Sequence, residues 1–291
     1  MSNVDRSPIE ASADELVASL RRLGSCAVAF SAGVDSTVVA KAAQLALGDR
    51  AVAVVGVGAA LPAGELSAAR ELAVVMGVRL VERATLEIEN AAYQANAPDR
   101  CYHCKTELYG HVHAVARELS LAVVVNGANA DDVGDHRPGM RAAEEHAVRS
   151  PLLELGFGKD RVRALAQHWG LPVWDKPAAP CLASRIAYGQ QVTPERLAMV
   201  DGAEQRLRAL GLRELRVRYH EGDIARIEVP DEAIGLIAVA ETRRALVRDL
   251  RALGFKRVTL DLAGFESGSL NTLVPVEMLT FSPPAAATRR E

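Results

Sequence analysis

Apolar positions along the chain alternate between a helical period and short unbroken runs. Leu16, Leu20 and Leu23 recur at helical spacing and predict an amphipathic helix over residues 10–24. The run from Cys26 to Phe30 then meets a glycine-containing turn, the pattern of a buried strand. The same alternation predicts a helix over 36–47, a strand over 51–57, a helix over 63–76 and a strand over 78–83. After a stretch rich in Asn and Pro, residues 105–119 read as a helix. Leu121 to Val125 read as a strand ending at Asn126-Gly127, and a further helix follows near 158–169. Strands and helices alternating at this spacing predict an α/β fold, a doubly wound parallel sheet with helices on both faces. Sheets of this kind take their ligands at the carboxyl ends of the strands.

Pro172, Pro177, Pro180 and Gly189 stiffen the segment 171–190, which reads as a linker or site loop. Beyond it, a helix over 194–210, strands near 214–220 and 224–229, a helix over 231–253 and a strand over 256–262 predict a second, smaller α/β unit. The expected division is a first domain over 1–180, a smaller one over 181–282 and a disordered tail over 283–291.

Composition narrows the partners. The 291 residues are enough for one large domain and a smaller one. With 34 Lys and Arg against 37 Asp and Glu, the net charge of -3 gives no general attraction for polyanions. A small molecule is therefore expected as partner, rather than nucleic acid. No apolar run approaches the roughly 20 residues that span a bilayer, so no membrane partner is expected and the expected location is cytoplasmic. The four cysteines, at 26, 101, 104 and 181, are too few and too unevenly spaced for a disulfide scaffold. Cys26, inside an apolar run, reads as packing.

The strand that ends in Ser31-Ala32-Gly33-Val34-Asp35-Ser36 opens directly into a helix. Such a junction turns backbone N–H groups and the positive helix end toward an anion. The hydroxyls of Ser31, Ser36 and Thr37 add donors, and Gly33 permits close approach or unusual dihedrals. A Walker A lysine is absent, which fits cleavage at the α phosphate of ATP better than γ transfer. The plainer reading is a capped strand-to-helix turn. The run is similar to the SGGxDS signature of PP-loop ATP pyrophosphatases, which release pyrophosphate as they adenylylate a substrate. Ala32 departs from that signature and would be strained if the position needs a positive φ.

Cys181 lies in Lys176-Pro-Ala-Ala-Pro-Cys-Leu-Ala-Ser-Arg185-Ile-Ala-Tyr-Gly189, where rigidity and a nearby cation favour a reactive thiolate. A lone cysteine is more often inert. The segment resembles the Pro-Cys-Leu-x-Ser-Arg-Ile-x-Tyr-Gly element of LarE-type sulfur transferases, a PP-loop branch that serves the nickel-pincer cofactor of lactate racemase. Arg100-Cys-Tyr-His-Cys-Lys105, the stretch from Asn129 to Gly139, Arg216-Val-Arg218 and the stretch from Ser267 to Asn271 extend the resemblance over most of the chain.

The resemblance implies adenylylation of a pyridinium dicarboxylate mononucleotide by ATP, then attack by the sulfur of Cys181. Loss of that sulfur would leave a thiocarboxylate and dehydroalanine. It also implies nucleotide or substrate contacts from Ser31, Gly33, Val34, Asp35 and Ser36, from Asn129, Asp132 and Arg137, and from Ser184 and Arg185. Arg216 and Arg218, two apart on one strand face, could grip a phosphate or carboxylate. Glu204 and Asp231 are similar in placement to residues that meet a divalent ion, and magnesium is expected to neutralise the leaving pyrophosphate. A homo-oligomer is expected on the same resemblance. Cys101, Cys104 and Cys181 together would suffice for a [4Fe-4S] cluster with one open iron. Trp174 and Tyr102 are candidates to stack on a ring. Three rivals stand beside this reading: a tRNA thiolase, an ammonia-using amide ligase and a nucleotide-binding module without catalysis. The first needs a basic surface, the second no Cys181, and the third binds ATP without releasing pyrophosphate.

Overall fold

A computed structural model describes residues 7–132, 138–177 and 180–266. The expectations for Asp135, His136, Arg137, Ser267 to Asn271 and the tail fall outside these residues. The first sheet has four strands, β1 (Cys26–Ala29), β2 (Ala51–Val57), β3 (Arg79–Ala84) and β4 (Val123–Val125). All neighbouring strands are parallel, in the order β3-β2-β1-β4. Alternate side chains divide between the two faces. Cys26, Val28 and Phe30 join one apolar cluster and Ala27 and Ala29 another. The first face is covered by α1 (Pro8–Arg21), α2 (Val34–Leu47), α3 (Glu65–Met76) and α8 (Lys159–His168). The second is covered by α5 (Arg100–Glu118) and α6 (Pro138–Glu145). Burial on both faces explains why β1, β2 and β4 read as Ala and Val runs, while the edge strand β3, Arg-Leu-Val-Glu-Arg-Ala, is half-exposed.

The expected parallel sheet is therefore present, with its four strands in the expected places. Two short helices are added, α4 (Ala91–Gln94) between β3 and β4 and α7 (Pro151–Glu154) after β4. Sequence order runs outward from β1 to β3 on one side, and β4 returns to the other side of β1. The switch point is thus between β1 and β4, the place in such a sheet where a ligand crevice is expected.

The second sheet is β5 (Arg216–His220), β6 (Ile224–Glu228) and β7 (Arg257–Leu260), with β5 antiparallel and β7 parallel to β6. Helix α9 (Pro194–Arg208) packs on β5. The helix expected over 231–253 is two, α10 (Asp231–Ala238) and α11 (Ala240–Ala252), because Val239 is extended at φ -54 and ψ 133. No Gly or Pro marks the break. It lets Ala233 and Ile237 of one helix and Leu246 and Leu250 of the other reach the same core. That core also takes in Ala60, Tyr93 and Cys104 from the first part of the chain. Among the described residues no helix is long and apolar enough to cross a membrane.

Candidate active site

The loop after β1 is shaped by its own hydroxyls. Ser36 Oγ lies 3.1 Å from Ser31 Oγ, accepts from Ser31 N at 3.2 Å and donates to the Gly33 carbonyl at 3.1 Å. Thr37 Oγ1 donates to the same carbonyl at 2.7 Å. No side chain caps the N-terminus of α2 at Gly33, so the first-turn N–H groups face the crevice with the positive helix end. Val34 is the first residue of α2, and its side chain is buried in the core, which leaves its backbone N–H for an anion. The unusual dihedral expected at Gly33 is instead one residue earlier. Gly33 has φ -83, whereas Ala32 has φ 55 and is 1% exposed.

The loop after β4 locks against this one. Asn129 Nδ2 donates to Asp35 Oδ1 at 2.9 Å, and Asp132 Oδ2 accepts from Asn129 N at 3.0 Å. Burial raises the Asp35 carboxyl above its ordinary range, opposed by the Asn129 hydrogen bond and the nearby Lys159 cation. A Cβ on Gly127 would stand 2.6 Å from Ser36 N and 2.9 Å from Ser36 Cα. The two loops approach so closely that only glycine fits there.

Sequence reasoning found no lysine for this cradle, yet the fold supplies one from far along the chain. Lys176 Nζ lies 3.3 Å from the Ala32 carbonyl and 2.8 Å from Glu65 Oε2. The Lys-Pro pair ahead of Cys181 was the available signal. The segment continues across the same strand ends, because Leu182 N donates to the Ala60 carbonyl of the loop after β2 at 2.9 Å. Cys181 itself is half-buried.

Behind Cys181 lies a buried charge network. Arg185 donates to Glu204 at 2.9 and 3.3 Å, and the two side chains are 1% and 0% exposed. Arg185 also donates to the carbonyls of Pro180 and Cys181 and to Ser184 Oγ. Arg208 and the Val217 N–H complete the shell of Glu204 at 2.9 and 3.3 Å. Where a divalent ion was expected at Glu204, the structure shows two guanidinium groups and a backbone donor. Arg218 is buried too, donating to Glu228 at 2.9 Å and to the Ser184 carbonyl at 3.2 Å. Arg216, on the same strand face, lies over the Phe265 ring at 5.1 Å. Burial first, and the neighbouring Arg185 cation second, bring its pKa down to about 10. Asp231 is exposed in the first turn of α10. Trp174 is 43% exposed, and Tyr102 donates to Glu145 at 2.5 Å.

The helix expected from residue 105 starts at Arg100, so Cys101 and Cys104 sit on its first turns. The polar Arg-Cys-Tyr-His-Cys-Lys run hides the helical period, which Tyr109, Val112, Val115 and Ala116 carry fully into the core. Cys101 is exposed, and Cys104 is half-buried against the same core as Cys181. Burial, reinforced by the neighbouring Cys181, pushes the Cys104 thiol up to about 12. Among the described residues no three His, Cys, Asp or Glu side chains converge as a metal site. The three cysteines are neighbours without forming a ready ligand set.

A strand-to-helix anion cradle at the switch point of a parallel sheet is consistent with the PP-loop class of nucleotide-dependent enzymes. Over 270 residues the chain is 41% identical to the pyridinium-3,5-bisthiocarboxylic acid mononucleotide synthase of Lactiplantibacillus plantarum, covering 92% of this chain and 96% of that protein. The chain belongs to that family, the LarE type. It is also 44% identical over 247 residues to an uncharacterized protein of Synechocystis sp., across 85% of this chain and 92% of that one. A more distant similarity, 27% over 195 residues, is to one of the subunits of the glutamine-hydrolyzing GMP synthase of Archaeoglobus fulgidus, spanning 62% of this chain and 63% of that protein. No family model matches the chain.

Proposed function

We propose that the protein is an ATP-dependent sulfur transferase acting on a pyridinium dicarboxylate mononucleotide, in the synthesis of the nickel-pincer cofactor. One observation carries this reading. A single segment places Lys176 on the phosphate loop and Cys181 beside the strand ends, so a phosphate-binding cradle and a thiol share one edge of the sheet. In the first step a substrate carboxylate attacks the α phosphate of ATP, and pyrophosphate leaves. The α2 N-terminus, Ser31 and Lys176 hold the negative charge that develops there. Magnesium would enter with the nucleotide, held chiefly by phosphate oxygens, with Asp35 and Asp132 as acidic groups on the two facing loops. Its chemistry is neutralisation of the leaving pyrophosphate.

In the second step the Cys181 thiolate attacks the acyl carbon and AMP leaves, forming a thioester. Removal of the Cα proton of residue 181 sends an electron pair into a Cα–Cβ double bond. The Cβ–S bond breaks, giving a thiocarboxylate and dehydroalanine. Arg216, backed by Arg218, is the residue proposed to hold the substrate phosphate.

A second reading is favoured by Cys101 and Cys104 lying beside Cys181: Cys181 keeps its own sulfur and the delivered sulfur comes from elsewhere. The cysteines form no ready cluster site, so no step is routed through iron. Intact-protein mass spectrometry after incubation with ATP, magnesium and the dicarboxylate mononucleotide separates the two readings. Loss of one hydrogen sulfide at residue 181 supports sacrifice of the cysteine. Thiolated product from a protein of unchanged mass supports the second reading. Folded protein that releases neither pyrophosphate nor AMP would remove the enzyme reading altogether.

A further inference from the structure

Asn96 stands out among buried polar residues outside the network just described. It is 0% exposed and adopts φ 55, the left-handed region that Asn tolerates better than most residues. Its Nδ2 donates to the carbonyls of Ala187 and Gln190 at 2.9 Å each and of Ile186 at 3.2 Å. An amide has two N–H groups, so three carbonyls share them. Oδ1 accepts from Arg100, which also donates to the Ala183 carbonyl at 2.8 Å. Next to it, the Gln94 carbonyl accepts from Val192 N at 2.9 Å. Arg100 apart, each of these partners lies within the stretch that follows Cys181. The opposite side of that stretch is fixed by the second sheet, through Ala187 N to the Tyr219 carbonyl at 2.9 Å.

We propose that Asn96 is a positioning residue for sulfur delivery, holding the 183–190 loop against Arg100 so that Cys181 is presented at the strand ends. The residue type follows from two demands made together. Glycine would accept the dihedral but provides no donor, and aspartate would turn a carboxylate toward three carbonyl oxygens. Arg100 links this clamp to the helix that carries Cys101 and Cys104. Asn96 touches nothing in the phosphate loop, so its influence falls on the second chemical step and not on the first.

The proposal rests on the sulfur-transfer reading above, and its test has an arm independent of that reading. Wild type and Asn96→Gly are compared for pyrophosphate release and for conversion of Cys181 per pyrophosphate released, in a single turnover with ATP, magnesium and the dicarboxylate mononucleotide. Pyrophosphate release is expected within threefold of wild type, while conversion per pyrophosphate falls at least tenfold. Equal coupling in the two proteins would overturn the proposal, as would a parallel fall in both steps. Independently, the rate at which iodoacetamide alkylates Cys181 without substrate is expected to change at least threefold. If wild type releases no pyrophosphate, the functional reading fails and this alkylation arm alone decides, with equal rates overturning the clamp. If Asn96→Gly is unfolded by circular dichroism, Arg100→Lys keeps the charge but loses the fork, and the same split is expected of it.

Discussion

The hydrogen bonds that the phosphate loop makes within itself join residues five positions apart or fewer, and Asn129 and Lys176 are added to it from 94 and 144 positions away. Those that shape the loop of Cys181 reach from Arg185 to Glu204, 19 positions away, and from Asn96 to Gln190, 94 positions away. The inner turn of the first loop therefore needs only β1 and α2, and its outer contacts need β4 and segment 171–177 as well. The second exists only when both sheets are in place. Damage to the second should accordingly reach the sulfur step from remote positions, while the nucleotide cradle answers to its own hydroxyls and to the few residues, Gly127, Asn129 and Lys176, that close on it.

The largest effect is expected at Glu204. Removing it leaves Arg185 buried without its counter-charge, and breaking one partner of a buried pair costs about 3–5 kcal/mol. Glu204→Ala should lower the urea midpoint by that equivalent and disable sulfur delivery. Any folded fraction should keep its ATP affinity. A loss under about 1 kcal/mol would mean that Arg185 finds water, and the contrast between the loops would fail.

Next is Gly127→Ala, which strikes the other loop. Its new methyl would meet backbone atoms of Ser36, where nothing flexible can yield. A cost of about 1–3 kcal/mol is expected, together with ATP binding weakened by about tenfold. Calorimetric titration with ATP checks this. Wild-type affinity in the variant would show that the loop after β4 moves independently of the cradle.

How far the residues alone foretold these sites follows the same contrast. The parallel sheet and the Ser31 to Ser36 cradle were readable because each is a contiguous run with a local period or a local anion geometry. Ala32 was readable as a point of strain, since a β-carbon at positive φ is a local property. In the sequence Lys176 is only the first residue of the Cys181 segment, and its place on the Ala32 carbonyl depends on how segment 171–177 packs. Glu204 carried the right charge for a metal ligand. Only the fold shows that two arginines converge on it. Asn96 gave no signal, because its three acceptors come from a loop that packing brings back to it. The break at Val239 carries no Gly or Pro signal, and the start of α5 at Arg100, though Pro98 and Asp99 precede it, is masked by the polar run from Arg100 to Lys105.

Two smaller effects sharpen the account of the cradle itself. Ala32→Gly removes a β-carbon from the left-handed region, a relief of about 1 kcal/mol, less the greater chain entropy glycine loses on folding. A small rise in melting temperature with equal or tighter ATP binding is expected. A fall would mean that the methyl packing of this buried residue outweighs the strain. The smallest effect is the pH dependence of Asp35. Its carboxyl is raised from 3.8 by burial, so the folded state holds the proton more tightly than the unfolded chain does. Its contribution to stability is fully present below 3.8 and is lost as pH rises through the raised value. Asp35→Asn cannot lose a proton, so its melting temperature should gain on wild type from pH 3.8 upward and then level off. Thermal melts at closely spaced pH values would reveal it. A gap that narrows with rising pH would show that Asn129 and Lys159 stabilise the charged form more than burial penalises it.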